Sequence, residues 1–212
     1  MNILYKHVAV EGNIGAGKST LAAALAKEMG VAPILEPFED NPFLEKFYEN
    51  PERYGFPVEL SFLAQRFHQM KSAVEGRNLF QGALVSDYVF SKSLLFAKNN
   101  LPQDEFALFK HMFDLMIAQL PRPEVVLYLR PGRQRQREQI HARGRDYEQS
   151  IEDQYLDQIE RAYEAHFRHA RGSRVLWVDT SGLDFVQSTT DLSAIVSLLT
   201  RPWKPGVHKP TF

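Results

Sequence analysis

The sequence predicts a three-layer α/β protein with one parallel sheet, expected to have five strands, and helices on both faces of the sheet. Two observations predict this class. Strand-like and helix-like segments alternate along the 212 residues, and a glycine-rich loop joins the first strand to the first helix. Such alternation forms parallel βαβ crossovers, which cover both sheet faces with helices. A chain of this length buries enough surface to fold as one large domain.

The first predicted elements surround the glycine-rich loop. Residues 4–10 are mostly apolar and predict a buried strand. Residues 18–29 are rich in Ala, Leu and Lys, which favour a helix, and Gly30 is a typical helix stop. Residues 33–36 predict a short second strand.

The middle of the chain begins with a proline-rich region that holds one short predicted helix at 42–49. Residues 57–75 carry apolar side chains at a helical period, and residues 82–86 predict the third strand. The next predicted helix, 103–120, is apolar around much of its circumference. That pattern indicates a core position or a dimer interface.

The last third of the chain repeats the alternation. Residues 124–129 and 174–179 predict the fourth and fifth strands. Predicted helices cover 131–141, 150–170 and 188–200. The domain is therefore expected to span residues 1–200. The tail at 201–212 has three prolines and no periodicity, so we expect it to be mostly loose, with Trp203 as a candidate anchor.

Composition excludes several classes of protein. The chain has 25 Lys and Arg against 26 Asp and Glu, which argues against binding to nucleic acid or to an anionic membrane. It has no cysteine, so disulfides, thiol nucleophiles and thiolate metal sites are excluded. No apolar stretch is long enough for a membrane span. We expect a cytoplasmic protein that acts on small molecules.

Residues 12–19, GNIGAGKS, match the phosphate-binding loop pattern G-x-x-x-x-G-K-[ST] between a strand and a helix. In this motif backbone N–H groups cradle phosphate oxygens, the lysine contacts the β- and γ-phosphates, and the hydroxyl ligates Mg²⁺. We therefore expect a nucleoside triphosphate and Mg²⁺ here. The predicted ligands in and beside the loop are Gly12, Asn13, Ile14, Gly15, Ala16, Gly17, Lys18, Ser19 and Thr20.

Two further features belong to the same expected site. Glu36 ends the second predicted strand, at the sheet edge where the loop lies, and a carboxylate there can accept the proton of an attacking hydroxyl. Six arginines lie between 130 and 145, and Gly144 interrupts the last pair, Arg143 and Arg145. We interpret residues 140–149 as a mobile lid that delivers arginines to phosphates. For the earlier arginines of this run, Arg133, Arg135 and Arg137, the alternative interpretation is a solvated helix face.

Five motifs together resemble the deoxynucleoside kinase family, which includes deoxycytidine, deoxyguanosine and deoxyadenosine kinases. They are EGNIGAGKST, the Glu-Pro pair at 36–37, FYENPERYGF, RGRDYE and DTSGLDF, and the resemblance covers about residues 5–200. The resemblance implies a three-layer P-loop kinase fold with an arginine-bearing lid, and a homodimer. It also implies transfer of phosphate from ATP, with Mg²⁺, to a deoxynucleoside 5′-hydroxyl in nucleotide salvage.

The resemblance implies roles for individual residues on the acceptor side. Glu36 matches the general base that takes the proton of the 5′-hydroxyl. Tyr48 and Glu148 match the residues on either side of the sugar 3′-hydroxyl, and Arg66 matches an arginine of the base pocket.

On the donor side, Arg143 and Arg145 match lid arginines that contact ATP and, with Lys18, are expected to stabilise the transferring phosphate. Asp184 and Phe185 match the loop that lines the adenine of ATP.

The sequence departs from the family pattern at the third strand. It has Ser86-Asp87-Tyr88 where the family often has Asp-Arg-Ser. Asp87 corresponds to the acidic residue linked to the metal and the nucleoside, but the neighbouring arginine is absent. Lys92 and Arg145 are the candidates to replace that arginine.

Glu59 stands where the family commonly has a base-reading glutamine. An ionised carboxylate only accepts hydrogen bonds, so it favours bases with amino groups and disfavours thymine. Similarity to bacterial members favours purines, deoxyadenosine ahead of deoxyguanosine, whereas hydrogen-bond logic alone favours guanine. In the other interpretation, Glu59 pairs with Arg66 and only shapes the pocket.

Two alternative functions share the phosphate-binding loop. A thymidylate-type monophosphate kinase needs cations for an acceptor phosphate, but region 41–63 offers only Lys46 and Arg53 among many acidic residues. A P-loop regulatory switch needs a guanine-selecting motif or a separate metal-binding Asp at a strand end, and neither is evident in the sequence. Both alternatives are therefore less favoured than a nucleoside kinase.

Overall fold

The computed structural model describes residues 2–38, 41–75, 83–168 and 172–212. Among these residues a single parallel sheet has the strand order β2-β3-β1-β4-β5-β6. The strands are β1 His7–Gly12, β2 Pro33–Ile34, β3 Leu84–Ser86, β4 Val125–Arg130, β5 Arg174–Asp179 and β6 Gly206–His208. The predicted parallel α/β fold is confirmed.

The described helices lie between these strands. They are α1 Lys18–Met29, α2 Leu44–Glu49, α3 Pro51–Glu75, α4 Lys92–Asn100, α5 Gln103–Ile117, α6 Arg133–Arg143, α7 Asp146–Gln149, α8 Asp153–Arg168 and α9 Thr189–Leu198. Two predictions need correction, because α3 begins at Pro51 rather than 57 and α4 was not predicted. Residue 82 of the predicted third strand and residues 169 and 170 of the predicted helix lie outside the described residues.

Side chains of β4 show how the sheet is buried on both faces. Val125, Leu127 and Leu129 pack into the core beneath α1 and α9. Val126 and Tyr128 point to the opposite face, where they pack with residues of α8. A strand covered on both faces has a nearly continuous apolar sequence, as β4 does. Its carboxyl end therefore emerges from a rigid core beside the phosphate-binding loop.

Two predictions were wrong at the C-terminal tail. Among the described residues the sheet has six strands rather than five, and the tail is packed rather than loose. β6 lies within the tail and pairs with β5, where Val207 lies opposite Val175. The indole Nε1 of Trp203 donates to Leu198 O at 2.8 Å, and its ring packs against the main core. Arg174 Nε donates to Trp203 O at 2.7 Å. The tail is therefore an integral edge of the sheet.

The Trp203→Ala substitution tests this docking. We expect it to lower the free energy of unfolding by about 1–3 kcal/mol, because it removes apolar packing and a hydrogen bond at the sheet edge. Urea unfolding measures the change. Phe212→Ala is the control, since Phe212 is 55% exposed at the end of the same tail. Equal stability of the two variants contradicts a docking role for Trp203.

Candidate active site

The phosphate-binding loop lies between the end of β1 and the start of α1. Gly15 and Gly17 have φ angles of 72° and 83°, a backbone conformation that only glycine adopts freely. A Cβ at Gly15 would also lie 2.6 Å from Ile140 Cγ1, so no larger residue fits there. The tight backbone is the one that phosphate cradling requires.

Lys18 folds back over this loop, and its Nζ donates to Asn13 O at 2.9 Å. Burial and the nearby Lys92 together lower the pKa of Lys18 to about 8, although Glu11 and Glu36 act in the opposite direction. Bound phosphates would favour the charged form of Lys18. The lysine is therefore placed to contact a triphosphate.

Ser19 and Asp87 form the part of the site that suits a hard cation. Ser19 Oγ donates to Asp87 Oδ2 at 2.5 Å, and Asp87 Oδ1 accepts from the backbone N–H of Glu36 at 2.8 Å. Within the described residues no group of three or more His, Asp or Glu side chains could hold a metal by itself. Two protein oxygens with phosphate and water oxygens are the ligand set that Mg²⁺ usually takes, so these residues fit Mg²⁺.

Glu36 is at the centre of a buried charge cluster. Its Oε1 accepts from Arg66 Nε at 2.6 Å, and its Oε2 accepts from Lys92 Nζ at 2.6 Å. The side chain of Glu36 is fully buried. Burial alone would raise its pKa, but Arg66 and Lys92 outweigh that effect and lower the pKa to about 2. Glu36 is therefore an ionised carboxylate that can accept a hydrogen bond at any physiological pH.

A cavity beside Glu36 is walled mainly by aromatic and aliphatic side chains. The structure brings seven of the predicted site residues to this cavity, namely Ile14, Lys18, Tyr48, Glu59, Arg66, Arg143 and Glu148. Concave, mostly apolar pockets with a few polar groups are typical binding sites for small molecules. The cavity therefore lies where an acceptor can face the phosphate-binding loop.

One wall of the cavity comes from the predicted lid. Glu148 is buried, and its Oε1 accepts from Arg145 Nη1 at 3.0 Å and from Arg143 Nη1 at 3.3 Å. Gly144 separates the two arginines, with a φ of 68°. Tyr48 lies nearby, stacked on Tyr147 with ring centroids 5.7 Å apart. Glu148 thus holds both lid arginines against the cavity.

At the other end of the cavity, Glu59 Oε1 accepts from Asn100 Nδ2 at 2.7 Å. Burial raises the pKa of Glu59 to about 7, although Arg66 and the Asn100 hydrogen bond act in the opposite direction. Arg66 pairs with Glu36 instead, and its Nη1 donates to Ser93 Oγ. The pairing of Glu59 with Arg66, which was the alternative interpretation, is therefore not formed.

Asp184 and Phe185 do not line this cavity. The ring of Phe185 is buried beside Gly17, whose added Cβ would lie 3.2 Å from Phe185 Cζ. Asp184 lines a shallow groove that also includes Arg133 and Arg135. Within the described part of the chain, this groove and the cavity share no lining residue.

A family model described as deoxynucleoside kinase matches residues 8–201. The chain belongs to the deoxynucleoside kinase family. Among its relatives, the deoxyguanosine kinase of Bacillus subtilis (strain 168) is 32% identical over 194 residues, which cover 90% of this chain and 94% of the relative. The deoxyadenosine/deoxycytidine kinase of the same organism is 29% identical, with 89% of each protein covered.

Solved structures agree with this assignment of the fold. A deoxyadenosine kinase from M. mycoides with bound dCTP has a TM-score of 0.74 and 26% identity, covering 92% of this chain and 98% of that chain. The structure with bound dATP has a TM-score of 0.75 and 24% identity, covering 92% and 100%. The chain is thus a phosphotransferase that acts on deoxynucleosides, which leaves the thymidylate-type kinase and the regulatory switch unsupported.

In this deoxynucleoside kinase, Lys92 and Arg145 are the two candidates to replace the missing arginine, and Lys92 supplies a cation to Glu36. It contacts Glu36 directly, whereas Arg145 pairs with Glu148 and lies over the ring of Phe38, with Cζ 4.9 Å from the centroid. Of the two candidates, the structure therefore favours Lys92. The lysine lies on α4, a helix that sequence patterns did not predict.

Two polar residues of the kinase, the half-buried Asn100 and the buried Glu11, were missed by the sequence analysis. Asn100, at the end of α4, belongs to no recognised motif. Glu11 is fully buried in β1, where it accepts from Val89 N and from Tyr163 OH, each at 2.8 Å. A charged residue in an otherwise apolar strand, directly before the phosphate-binding loop, was a signal for Glu11.

Proposed function

We propose that this kinase transfers the γ-phosphoryl group of ATP to the 5′-hydroxyl of a purine deoxynucleoside, deoxyadenosine ahead of deoxyguanosine. The buried, ionised Glu36 carries the proposal, because it pairs with Arg66 and Lys92, which line the cavity. Its backbone N–H also donates to Asp87, the hydrogen-bond partner of Ser19 in the phosphate-binding loop. Among the relatives are kinases of deoxyguanosine and of deoxyadenosine. Their substrates support purines as the acceptor class.

The acceptor would lie in the cavity with its sugar towards the lid. Tyr48 and Glu148 would bind the 3′-hydroxyl, since both line the cavity near the arginine pair. Glu36 would accept a hydrogen bond from the 5′-hydroxyl and orient its oxygen towards the γ-phosphorus. Arg66 would keep Glu36 in place rather than contact the base, because its guanidinium is committed to Glu36 and Ser93.

The donor would lie over the phosphate-binding loop, residues 12–20, with its adenine beside Asp184 and Phe185. Ser19 and Asp87 would hold Mg²⁺, which neutralises phosphate charge when bound. Lys18, Arg143 and Arg145 would add positive charge around the transferring group. Most of the rate acceleration in such reactions comes from positioning and electrostatic stabilisation.

In the reaction, the 5′-oxygen forms a bond to the γ-phosphorus while the bond from that phosphorus to the β-γ bridging oxygen breaks. ADP leaves with the bridging oxygen, and the hydroxyl proton passes to Glu36. The low pKa of Glu36 suits a role in which it orients the hydroxyl first and receives the proton late, as bond formation makes the hydroxyl more acidic. The proton then moves to solvent as the product leaves.

We also infer a cytoplasmic homodimer that serves nucleotide salvage. Leu108 and Leu115 on α5 are 56% and 71% exposed, which gives this helix an uncovered apolar side. Exposed apolar faces commonly mark self-association, which is usually two-fold. Among the described helices none is long and apolar enough to cross a bilayer.

The direct test is a panel of four deoxynucleosides with ATP and Mg²⁺. At about pH 8, where Glu59 is mostly ionised, we expect 5′-monophosphates from the two purines and little product from thymidine. Thymine presents two carbonyl oxygens to the carboxylate and only N3–H as a donor. Chromatography of the products measures the rates. Thymidine turnover equal to that of the purines contradicts the proposed substrate class.

A further inference from the structure

Of the two carboxylate oxygens of Glu59, one has a hydrogen-bond partner among the described residues and the other has none. Oε1 accepts from Asn100 Nδ2 at 2.7 Å. Oε2 is buried and has no hydrogen-bond partner among the residues that the structure describes. The residue is only 3% exposed, yet it lines the acceptor cavity. A buried polar atom without a partner is costly, so a ligand that pairs with Oε2 gains affinity.

The neighbours of Asn100 fix which of its side-chain atoms faces Glu59. Asn100 Oδ1 accepts from Asn99 Nδ2 at 3.0 Å and from Tyr155 OH at 3.4 Å. With its oxygen turned to these donors, Asn100 presents its NH₂ group to Glu59. Oε1 is therefore an acceptor in every protonation state. Any proton on Glu59 must reside on Oε2.

Charged and titratable groups from five parts of the fold interact with Glu59: α2, α3, α4, α8 and the segment after β2. Arg66 on α3 and Lys92 on α4 favour the ionised form, and Glu36 after β2 opposes it. The hydroxyls of Tyr48 on α2 and Tyr155 on α8 also interact with Glu59, and both remain neutral because burial raises their pKa values. Burial raises the pKa of Glu59 itself to about 7. Both forms of Glu59 are thus populated near neutral pH.

The two forms of Glu59 match the edges of different bases. Guanine presents two adjacent donors, N1–H and the N2 amino group, which an ionised carboxylate can accept. Adenine presents the N1 acceptor beside the N6 amino donor, which needs one donor and one acceptor. A carboxyl group with its proton on Oε2 offers that pair, and cytosine has the same pattern as adenine.

We propose that Glu59, oriented by Asn100, selects the base: the ionised carboxylate binds deoxyguanosine, and the protonated carboxyl binds deoxyadenosine. The proposal rests on the proposed function, because it assumes that the cavity holds the nucleoside. It also reconciles two arguments about purine preference. Hydrogen-bond logic favours guanine and applies to the ionised form of Glu59, whereas the similarity to bacterial members favours deoxyadenosine and agrees with the protonated form. The kinase would change its preferred purine with pH.

The ratio of kcat/KM for deoxyguanosine to that for deoxyadenosine tests this in the wild-type enzyme. Between about pH 6 and about pH 8 the ratio should rise about 100-fold, because a group of pKa near 7 changes each population about tenfold. Groups that affect both substrates equally, such as Lys18, cancel in the ratio. A ratio that does not change with pH overturns the proposal.

Two variants and one control test whether Glu59 and Asn100 cause this pH dependence. Glu59→Gln should abolish the pH dependence and favour deoxyadenosine, because an amide is always both donor and acceptor. Asn100→Leu should move the rise to higher pH, since it removes a donor that stabilises the ionised form. Glu52→Gln is the matched control, being exposed on the same helix. If Glu59→Gln keeps the wild-type profile, Glu59 does not select the base.

Calorimetry of nucleoside binding separates this proposal from the proposed function. At pH 7, binding of deoxyguanosine should release about half a proton and binding of deoxyadenosine should take up about half, which titrations in buffers of different ionisation enthalpy measure. This signature without any phosphorylation would overturn the proposed function and support the role of Glu59. Phosphorylation of both purines without the signature would overturn the role of Glu59 alone.

Discussion

A Glu36→Gln variant should lose about 10²- to 10⁴-fold in kcat, with little change in the KM for ATP. Glutamine keeps the shape of the side chain but cannot accept the proton of the 5′-hydroxyl. Its amide is also a weaker acceptor for the two cations, which are buried with it at 2% exposure for Arg66 and 5% for Lys92. In the proposed arrangement ATP lies over the phosphate-binding loop and not in the cavity, so its KM should be nearly unaffected. Steady-state kinetics with the preferred purine measures both constants.

Two further variants identify the cause of this loss. Glu36→Asp keeps the negative charge and should have a higher kcat than Glu36→Gln. If Glu36 had only a structural role, the two variants should have similar values of kcat. Glu45→Gln, at an exposed position of α2, is the control. Thermal unfolding shows whether each variant is folded at the assay temperature. A folded Glu36→Gln enzyme with a kcat within about threefold of wild type contradicts the catalytic assignment.

The donor side of the site was predictable from the sequence because its chemistry is local. The loop from Gly12 to Ser19 needs glycines at fixed spacing between a strand and a helix, and that pattern can be read without tertiary information. Glu36 could also be located, because the carboxyl ends of parallel strands lie on the same edge of the sheet. The parallel fold followed from the alternation of strands and helices.

Long-range contacts were not predictable in this way. β6 has only three residues, and its place beside β5 depends on Trp203 packing against the core rather than on any local pattern. Asn100 contacts Glu59 across 41 positions in the chain, so neither residue signals the other in the sequence. The pairing of Arg66 with Glu36 across 30 positions likewise replaced the expected pairing with Glu59. In each case tertiary packing determined the partner.

Lys92→Ala should lower kcat by about 10²-fold or more, because removing one of the two buried cations leaves the charge of Glu36 compensated by Arg66 alone. Lys92 Nζ lies 2.6 Å from Glu36 Oε2, so its loss leaves one carboxylate oxygen without its cation. Lys92→Arg should restore much of the activity, since it returns the charge that the usual family motif supplies. Lys98→Ala, at an exposed position of the same helix, is the control.

The pH dependence of kcat decides whether Lys92 acts through Glu36. In the wild-type enzyme the pKa of Glu36 is about 2, so its ionisation is complete and kcat has no acid limb from this group above about pH 4. Without Lys92, burial is opposed mainly by Arg66, and the pKa of Glu36 rises. A new acid limb should then appear in Lys92→Ala, because protonated Glu36 cannot accept the hydroxyl proton. A merely structural defect would lower kcat equally at every pH, and an unchanged kcat would remove Lys92 from this role.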